Sequence, residues 1–178
     1  MPSKAGPFTF AELQMVTLLG RGEIRECINR EIISAPAGVG QGHHRAYSKW
    51  NLVEGVIAAA LLGHVRAGSV AALMARLRWM LLAHQIDPEA YCLAPDRFGF
   101  YGFELLFPPR TKPDGKADLT LGEDAGEGAF LIATASAVKQ ADNSPSLISD
   151  TPSEPFCKCP VDLEKAVLFV DYMIETKL

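Results

Sequence analysis

The stretch Thr9-Phe10-Ala11-Glu12-Leu13-Gln14-Met15-Val16-Thr17-Leu18-Leu19-Gly20-Arg21-Gly22-Glu23-Ile24-Arg25-Glu26-Cys27-Ile28-Asn29 decides how the N-terminal part of this chain folds. Thr9 to Glu12 is a capping box, in which the threonine hydroxyl accepts the Glu12 amide and the Glu12 carboxylate returns to the Thr9 amide. A helix is expected from there, with Phe8 and Leu13 as its hydrophobic staple and Leu13, Val16 and Thr17 on its buried face. Gly20 and Gly22 disfavour a continuous helix, so a tight turn is expected around them. Beyond it, Ile24, Cys27 and Ile28 recur at helical spacing, while Arg21, Arg25 and Asn29 fall at i, i+4 and i+8 on a neighbouring stripe.

A second short helix that packs by one side and shows Arg and Asn on the other has the chemistry of a major-groove reader. Arginine pairs with guanine and asparagine with adenine, and Glu26 can accept from a cytosine amino group. Arg30, at the helix end, suits a phosphate. After Ile32-Ile33, the segment from Ser34 to Gly42 is rich in Gly and Pro and reads as a hairpin tip. The segment from His43 to Tyr47 reads as its returning strand. Such a hairpin would act as a wing, with His43, His44 and Arg45 reaching phosphates or the minor groove, and Lys49 pointing back toward it.

This pattern resembles the winged helix-turn-helix domain of the MerR family. The resemblance rests on Phe10-Ala11-Glu12-Leu13, Thr17, Ile24-Arg25 and Ile32-Ile33, and resumes at Gly42, Arg45-x-Tyr47-Ser48 and Leu52. It covers roughly the first half of the chain. It implies sequence-specific binding of double-stranded DNA by a homodimer, with the recognition-helix arginine at Arg25 and the wing arginine and tyrosine at Arg45 and Tyr47. Glu26-Cys27 departs from the aromatic pair usual in the family, and Gly20-Arg21-Gly22 is looser than its usual turn. A MerR-like module in some other kind of regulator is therefore expected. The rival readings are an excisionase-like or architectural DNA-bending protein, and a protein-interaction module that does not bind DNA.

The 178 residues, 48% of them hydrophobic, suffice for one domain or two small ones. The net charge of −4 argues against indiscriminate coating of nucleic acid. Its distribution is uneven. Through His84 there are 9 Lys+Arg against 5 Asp+Glu, and in the remainder 8 against 16, so the suspected reader sits in the basic half. Cys27, Cys92, Cys157 and Cys159 do not form a secreted disulfide framework, and no signal peptide or membrane span is expected. A cytoplasmic protein, associated with the nucleoid when bound to DNA, fits these features.

The fold expected is α+β. Residues 1–84 would form the winged helix-turn-helix, and residues 85–178 a small α+β domain for dimerisation or sensing that ends in a helix. Ser48 should cap a helix to about Leu62, with Leu52, Val53, Ile57, Ala60 and Leu61 inward and Gly63 at its end. Ser69 should cap another, Val70 to about His84, too apolar for one narrow stripe, so that part of it is either buried or a dimer seam. Asp87-Pro88-Glu89 can open a short helix. Phe98 to Phe107 reads as a strand, with a hairpin turn at Arg110 to Lys116 and a return at Asp118 to Leu121, while Ala129 to Ala135 fits a buried strand, with a helix as its competitor. The segment from Ala141 to Pro155 reads as an exposed loop. Near the C-terminus Leu163, Ala166, Val167, Val170, Met173 and Ile174 recur at helical spacing.

No phosphate loop, nucleophile elbow or metal signature accompanies Asp87, Glu89, Asp96 and Glu104, so no enzymatic role and no cofactor or metal is expected. His43-His44 and Cys157-x-Cys159 lack zinc-finger spacing. Two further possibilities remain open at this level: a redox role for the cysteine pair, and an apolar effector pocket lined by the aromatic run.

Overall fold

The computed structural model describes residues 7–36, 46–63, 67–98, 102–107, 110–111, 117–118, 130–132, 151–153 and 156–178. The fold is an α-rich α+β arrangement. Helices α1 (Phe10–Thr17), α2 (Arg21–Asn29), α3 (Lys49–Leu62), α4 (Ala67–Ala83) and α5 (Pro88–Leu93) precede a 3-10 turn at Pro95–Phe98. Among the described residues the strands that follow are β1 (Gly102–Phe107), β2 (Arg110–Thr111), β3 (Ala117–Asp118), β4 (Phe130–Ile132), β5 (Thr151–Ser153) and β6 (Phe156–Asp162). Helix α6 (Leu163–Lys177) closes the chain.

Local chemistry sets most helix ends. Thr9, Ser48, Asp87 and Asp162 each accept an amide of the first turn through their side chains, at the starts of α1, α3, α5 and α6. Helix α4 differs from expectation. It starts at Ala67, ahead of Ser69, which lies inside the helix rather than capping it. At the C-terminal ends of α2 and α4 the chain turns through left-handed residues, Glu31 (φ 57°) and Gln85 (φ 56°). In both, the next residue's amide returns to a carbonyl of the last turn, Ile32 to Cys27 (2.8 Å) and Ile86 to Leu81 (2.8 Å), forming Schellman closures without glycine.

Helix α3 is the axis of the packing. Every residue from Asn51 to Ala58 is buried, and α1, α2, α4, α5 and α6 all lie against it. A helix covered all round is apolar all round, which is why α3 lacks the polar face of a surface helix. In α6 the six residues expected inward, Leu163, Ala166, Val167, Val170, Met173 and Ile174, are the buried ones, and they join one core with Leu13, Val16, Leu52 and Ile57. The interior is thus shared across the boundary expected after His84. In α4, Trp79 and Leu82 face outward, while Val70, Leu73, Met74, Leu77, Met80 and Leu81 pack inward. No helix among the described residues is long and apolar enough to cross a membrane.

Of the described strands, four form an antiparallel sheet in the order β4-β1-β6-β5, and β2, within the segment expected as a turn, pairs with β3, Arg110 opposite Asp118. Strand β1 pairs Leu105 with Cys159 and with Leu131. Two expectations change here. Residues 151–153, inside the expected loop, form β5 against β6, the strand that places Cys157 and Cys159 in a ladder, and residues 95–98, the last of them expected to open the strand, form a 3-10 turn. Gly102 has φ 153°, and a Cβ there would lie 2.0 Å from the Val161 carbonyl oxygen, so only glycine lets β1 meet the β6–α6 corner.

The α1–α3 contact is equally close at Gly55, where a Cβ would stand 2.4 Å from Thr17 Cγ2. Thr17 is held in place, because its hydroxyl donates to the Leu13 carbonyl (2.9 Å) and accepts the Leu19 amide (3.3 Å). Alanine would favour the helix by about 1 kcal/mol, but overpacking of a fixed contact costs about 1–3 kcal/mol and should win. Gly55→Ala is therefore expected to lower the urea midpoint, and Thr17→Ser in the same chain, which deletes the opposing methyl, to restore it. A Gly55→Ala variant more stable than wild type would contradict this contact.

Candidate functional site

Helix α1 ends in the left-handed Leu18 (φ 59°), Leu19 tucks inward, and Gly20 caps α2 while its amide donates to Glu23 Oε2 (2.6 Å). The turn is thus Leu18 to Gly20, made by a left-handed leucine, and Gly22 lies within α2 rather than in the turn. Helix α2 buries Ile24 and Cys27 and half-buries Ile28. Arg21, Arg25, Asn29 and Arg30 are exposed, as the spacing implied. The Arg21 guanidinium stands 6.0 Å from the Phe10 ring centroid, and Phe10 meets Tyr47 edge-on at 6.2 Å, so two rings support the first turn of α2. Arg30 forms an ion pair with Glu26 on the same surface. Glu26, expected to be open for a base contact, is therefore already engaged.

What fixes α2 is a polar cluster under its C-terminal end. Glu54 on α3 is 0% exposed. Its Oε1 accepts Arg78 Nε (2.7 Å) and the Ser34 hydroxyl (2.8 Å), and its Oε2 accepts the Ser34 amide (2.6 Å). Arg78, from α4, donates its other two nitrogens to the Glu31 and Ile32 carbonyls, each at 2.7 Å. Asn51 Nδ2 donates to the Ser34 carbonyl (3.1 Å), while its Oδ1 accepts the Ser48 amide (3.0 Å). The planar guanidinium suits this work, since its fixed donors meet a carboxylate and two carbonyls together. Residues 31–34 are thereby bound to α3 and α4, and α2 enters them directly.

Two expected DNA contacts are corrected. Tyr47 is 1% exposed, forming a two-way backbone bridge with Phe8 (2.8 Å each way), so its ring belongs to the interior. Lys49 is 4% exposed, and its Nζ donates to the Cys92 carbonyl (2.7 Å) and pairs with Asp171 Oδ1 (2.7 Å) on α6. An ammonium enclosed between α3, α5 and α6 does not meet a phosphate. Its position in the first turn of a helix whose every side is covered explains the misreading. His43, His44 and Arg45, with the expected hairpin tip, lie outside the described residues.

Glu54 and Arg78 were not among the site residues expected from the sequence. The usable signal was that each is a charge set in a mainly apolar stretch of helix, Glu54 in α3 and Arg78 in α4, which a folded chain tolerates when the two meet. Neither the models of known protein families nor the curated proteins contain a match to this chain.

Removing one member of the cluster leaves the others buried without their partner. Arg78→Met is expected to destabilise the protein by about 3 kcal/mol, and Glu54→Leu combined with Arg78→Met to recover part of that loss. Urea unfolding checks both, and a neutral Arg78→Met would contradict the assigned role. A second expectation concerns Cys27. Burial chiefly, helped by the Glu23 and Glu26 charges, pushes its thiol from 9.0 up to about 11. Since the unfolded thiol ionises first, the stability tied to protonated Cys27 is complete below pH 9 and is lost as pH rises through about 11. Between those limits wild type should lose on the order of 1–2 kcal/mol more than Cys27→Ala, measured by urea titration at each pH.

Proposed function

We propose that this chain is a sequence-specific DNA-binding transcriptional regulator, built on a winged helix-turn-helix of the MerR kind, with α2 as the reading helix. The observation that carries the reading is the division of α2: Ile24 and Cys27 held in the core, Arg21, Arg25 and Asn29 held outward. Base readout needs side chains at fixed positions on a rigid element, and the Glu54–Arg78 cluster supplies that rigidity at one end of α2 while Phe10 and Tyr47 supply it at the other. In this reading Arg25 and Asn29 meet base edges, and Arg21 meets a base edge or the adjoining phosphate. His43, His44 and Arg45 take phosphates from the wing.

The charges on α2 refine the mechanism. Glu23 and Glu26 stand among Arg21, Arg25 and Arg30, so the helix offers little net positive charge. Non-specific attraction is then weak, and affinity depends on the matched base contacts. Arg30 can leave Glu26 for a phosphate at small cost, because exposed ion pairs contribute about 0–1 kcal/mol.

Selection of bound duplexes from a random pool, followed by fluorescence anisotropy on the recovered site, tests the proposal. Arg25→Ala is expected to lower affinity for that site by about 1–3 kcal/mol and relax one base preference. Arg45→Ala should weaken all duplexes alike and flatten the salt dependence. If no duplex is enriched and no salt-dependent binding is seen, the DNA reading fails and a protein-interaction module takes its place.

A further inference from the structure

Helix α4 packs through Val70, Leu73, Leu77 and Met80, yet its opposite side is apolar as well. Gly68, Ala72, Ala75, Trp79 and Leu82 are all exposed, Trp79 by 55% and Leu82 by 75%. They follow one another at intervals of four, three, four and three residues, the spacing of a coiled-coil seam, over roughly 21 Å of helix. Nothing lies within 4 Å of where a Cβ at Gly68 would stand, so the seam is open at its small end. Small residues there let a second helix axis approach to roughly 8 Å, while Trp79 and Leu82 supply bulk at the other end. Of the two charges on α4, Arg78 is engaged with Glu54. The other, Arg76, flanks the seam with its guanidinium 4.2 Å from the Trp79 ring centroid. The 17 residues of the helix include no Asp or Glu.

We propose that the outer face of α4 is a docking surface for an acidic amphipathic helix of a different protein. An exposed apolar seam of this length marks an interaction site, because leaving it in water is unfavourable. A second copy of this chain does not complement it. In parallel, the seam sets Trp79 against Trp79 and Gly68 against Gly68. Reversed so that large meets small, Trp79 on Ala75 and Leu82 on Ala72, it brings the two Arg76 side chains to the same flank beside the two-fold axis, and α4 has no acid to offset them. A lipid surface fits less well, since interfacial helices carry several cations beside the apolar face and α4 offers one. The complement is a helix with large apolar residues against Gly68, Ala72 and Ala75, a small one against Trp79, and Asp or Glu beside Arg76. Trp and Arg are the residue types that carry most binding energy in such contacts. Arg76 is already oriented over the ring, and its planar guanidinium keeps donors at its edge for a carboxylate. Arg78 fastens α4 to α3 and to residues 31–32, so the seam stands on a fixed element and little ordering is needed on binding. The inference goes beyond the DNA reading and does not rest on it.

A displayed library of three-heptad helices, apolar at the seam positions and drawn from Glu, Gln and Lys at the flanks, panned against the full chain, tests it. Helices with flanking Glu are expected to be enriched. The best of them, synthesised as a peptide, should bind at roughly micromolar concentration, with a blue shift in tryptophan emission that Trp79→Phe abolishes. Trp79→Ala should weaken binding about tenfold or more, and Arg76→Glu should turn the preference toward Lys. Both side chains are exposed, so the urea midpoint of either variant should stay close to that of wild type. A library that yields no binder, a peptide that binds Trp79→Ala as well as wild type, or Glu and Lys peptides that bind wild type equally would each overturn the proposal. So would a homodimer that Trp79→Ala dissociates in sedimentation equilibrium, or phosphatidylglycerol vesicles that produce the emission shift when the peptide does not. None of these outcomes bears on duplex selection, so the two readings fail separately.

Discussion

A single carboxylate, that of Glu54, holds the N-terminal helices in their arrangement. Burying it fully would be prohibitive without compensation, and the compensation comes from the Arg78 guanidinium, the Ser34 hydroxyl and the Ser34 amide, with the Asn51 side-chain amide at 3.5 Å. Because Arg78 also takes the Glu31 and Ile32 carbonyls, the backbone leaving α2 has its polar groups satisfied by side chains of α3 and α4. Apolar residues of similar volume could fill the same space with equal or greater stability. What they would not supply is direction: the fork of donors admits one path for residues 31–34, and so one orientation for the helix that precedes them.

The same logic recurs at the N-terminal end of α3. Lys49 is enclosed with Asp171 and the Cys92 carbonyl, tying α3 to α5 and α6. Apolar packing along the rest of the helix and the close approach to α1 at Gly55 complete its hold. Both anchors are single charges on a buried helix, each matched by an opposite charge from a different helix. Arrangement of the helices around α3 is therefore specified by pairing as well as by burial. The outer surfaces, that of α2 with its arginines and that of α4 with its apolar seam, are presented by this frame without being part of it.

Much of the helical part of the fold was legible before any coordinates. The capping box at Thr9, the Ser48 and Asp87 caps and the inward residues of α6 depend on contacts within a few positions of one another, and local chemistry writes them directly into the sequence. The exposed positions of Arg21, Arg25, Asn29 and Arg30 were legible for the same reason, since helical periodicity sorts them from Ile24 and Cys27. The start of α4 was missed because Ser69, a residue type that caps helices, lies inside this one. The strand at residues 156–162 was missed because a strand gains its hydrogen bonds from a partner distant in sequence, here β1.

By itself the sequence determined where the capped helices begin, which residues of α1 and α6 turn inward, and which side chains of α2 remain in water. Only the tertiary structure decided the fates of Tyr47, Lys49, Glu54 and Arg78. A charged or phenolic side chain reads as a surface group until a partner from another element is known to enclose it, and here the partners come from α6 for Lys49, from α4 for Glu54 and from the Phe8 and Phe10 segment for Tyr47. Whether a polar group meets solvent or core depends on that enclosure, a property of the assembled helices that no local pattern encodes.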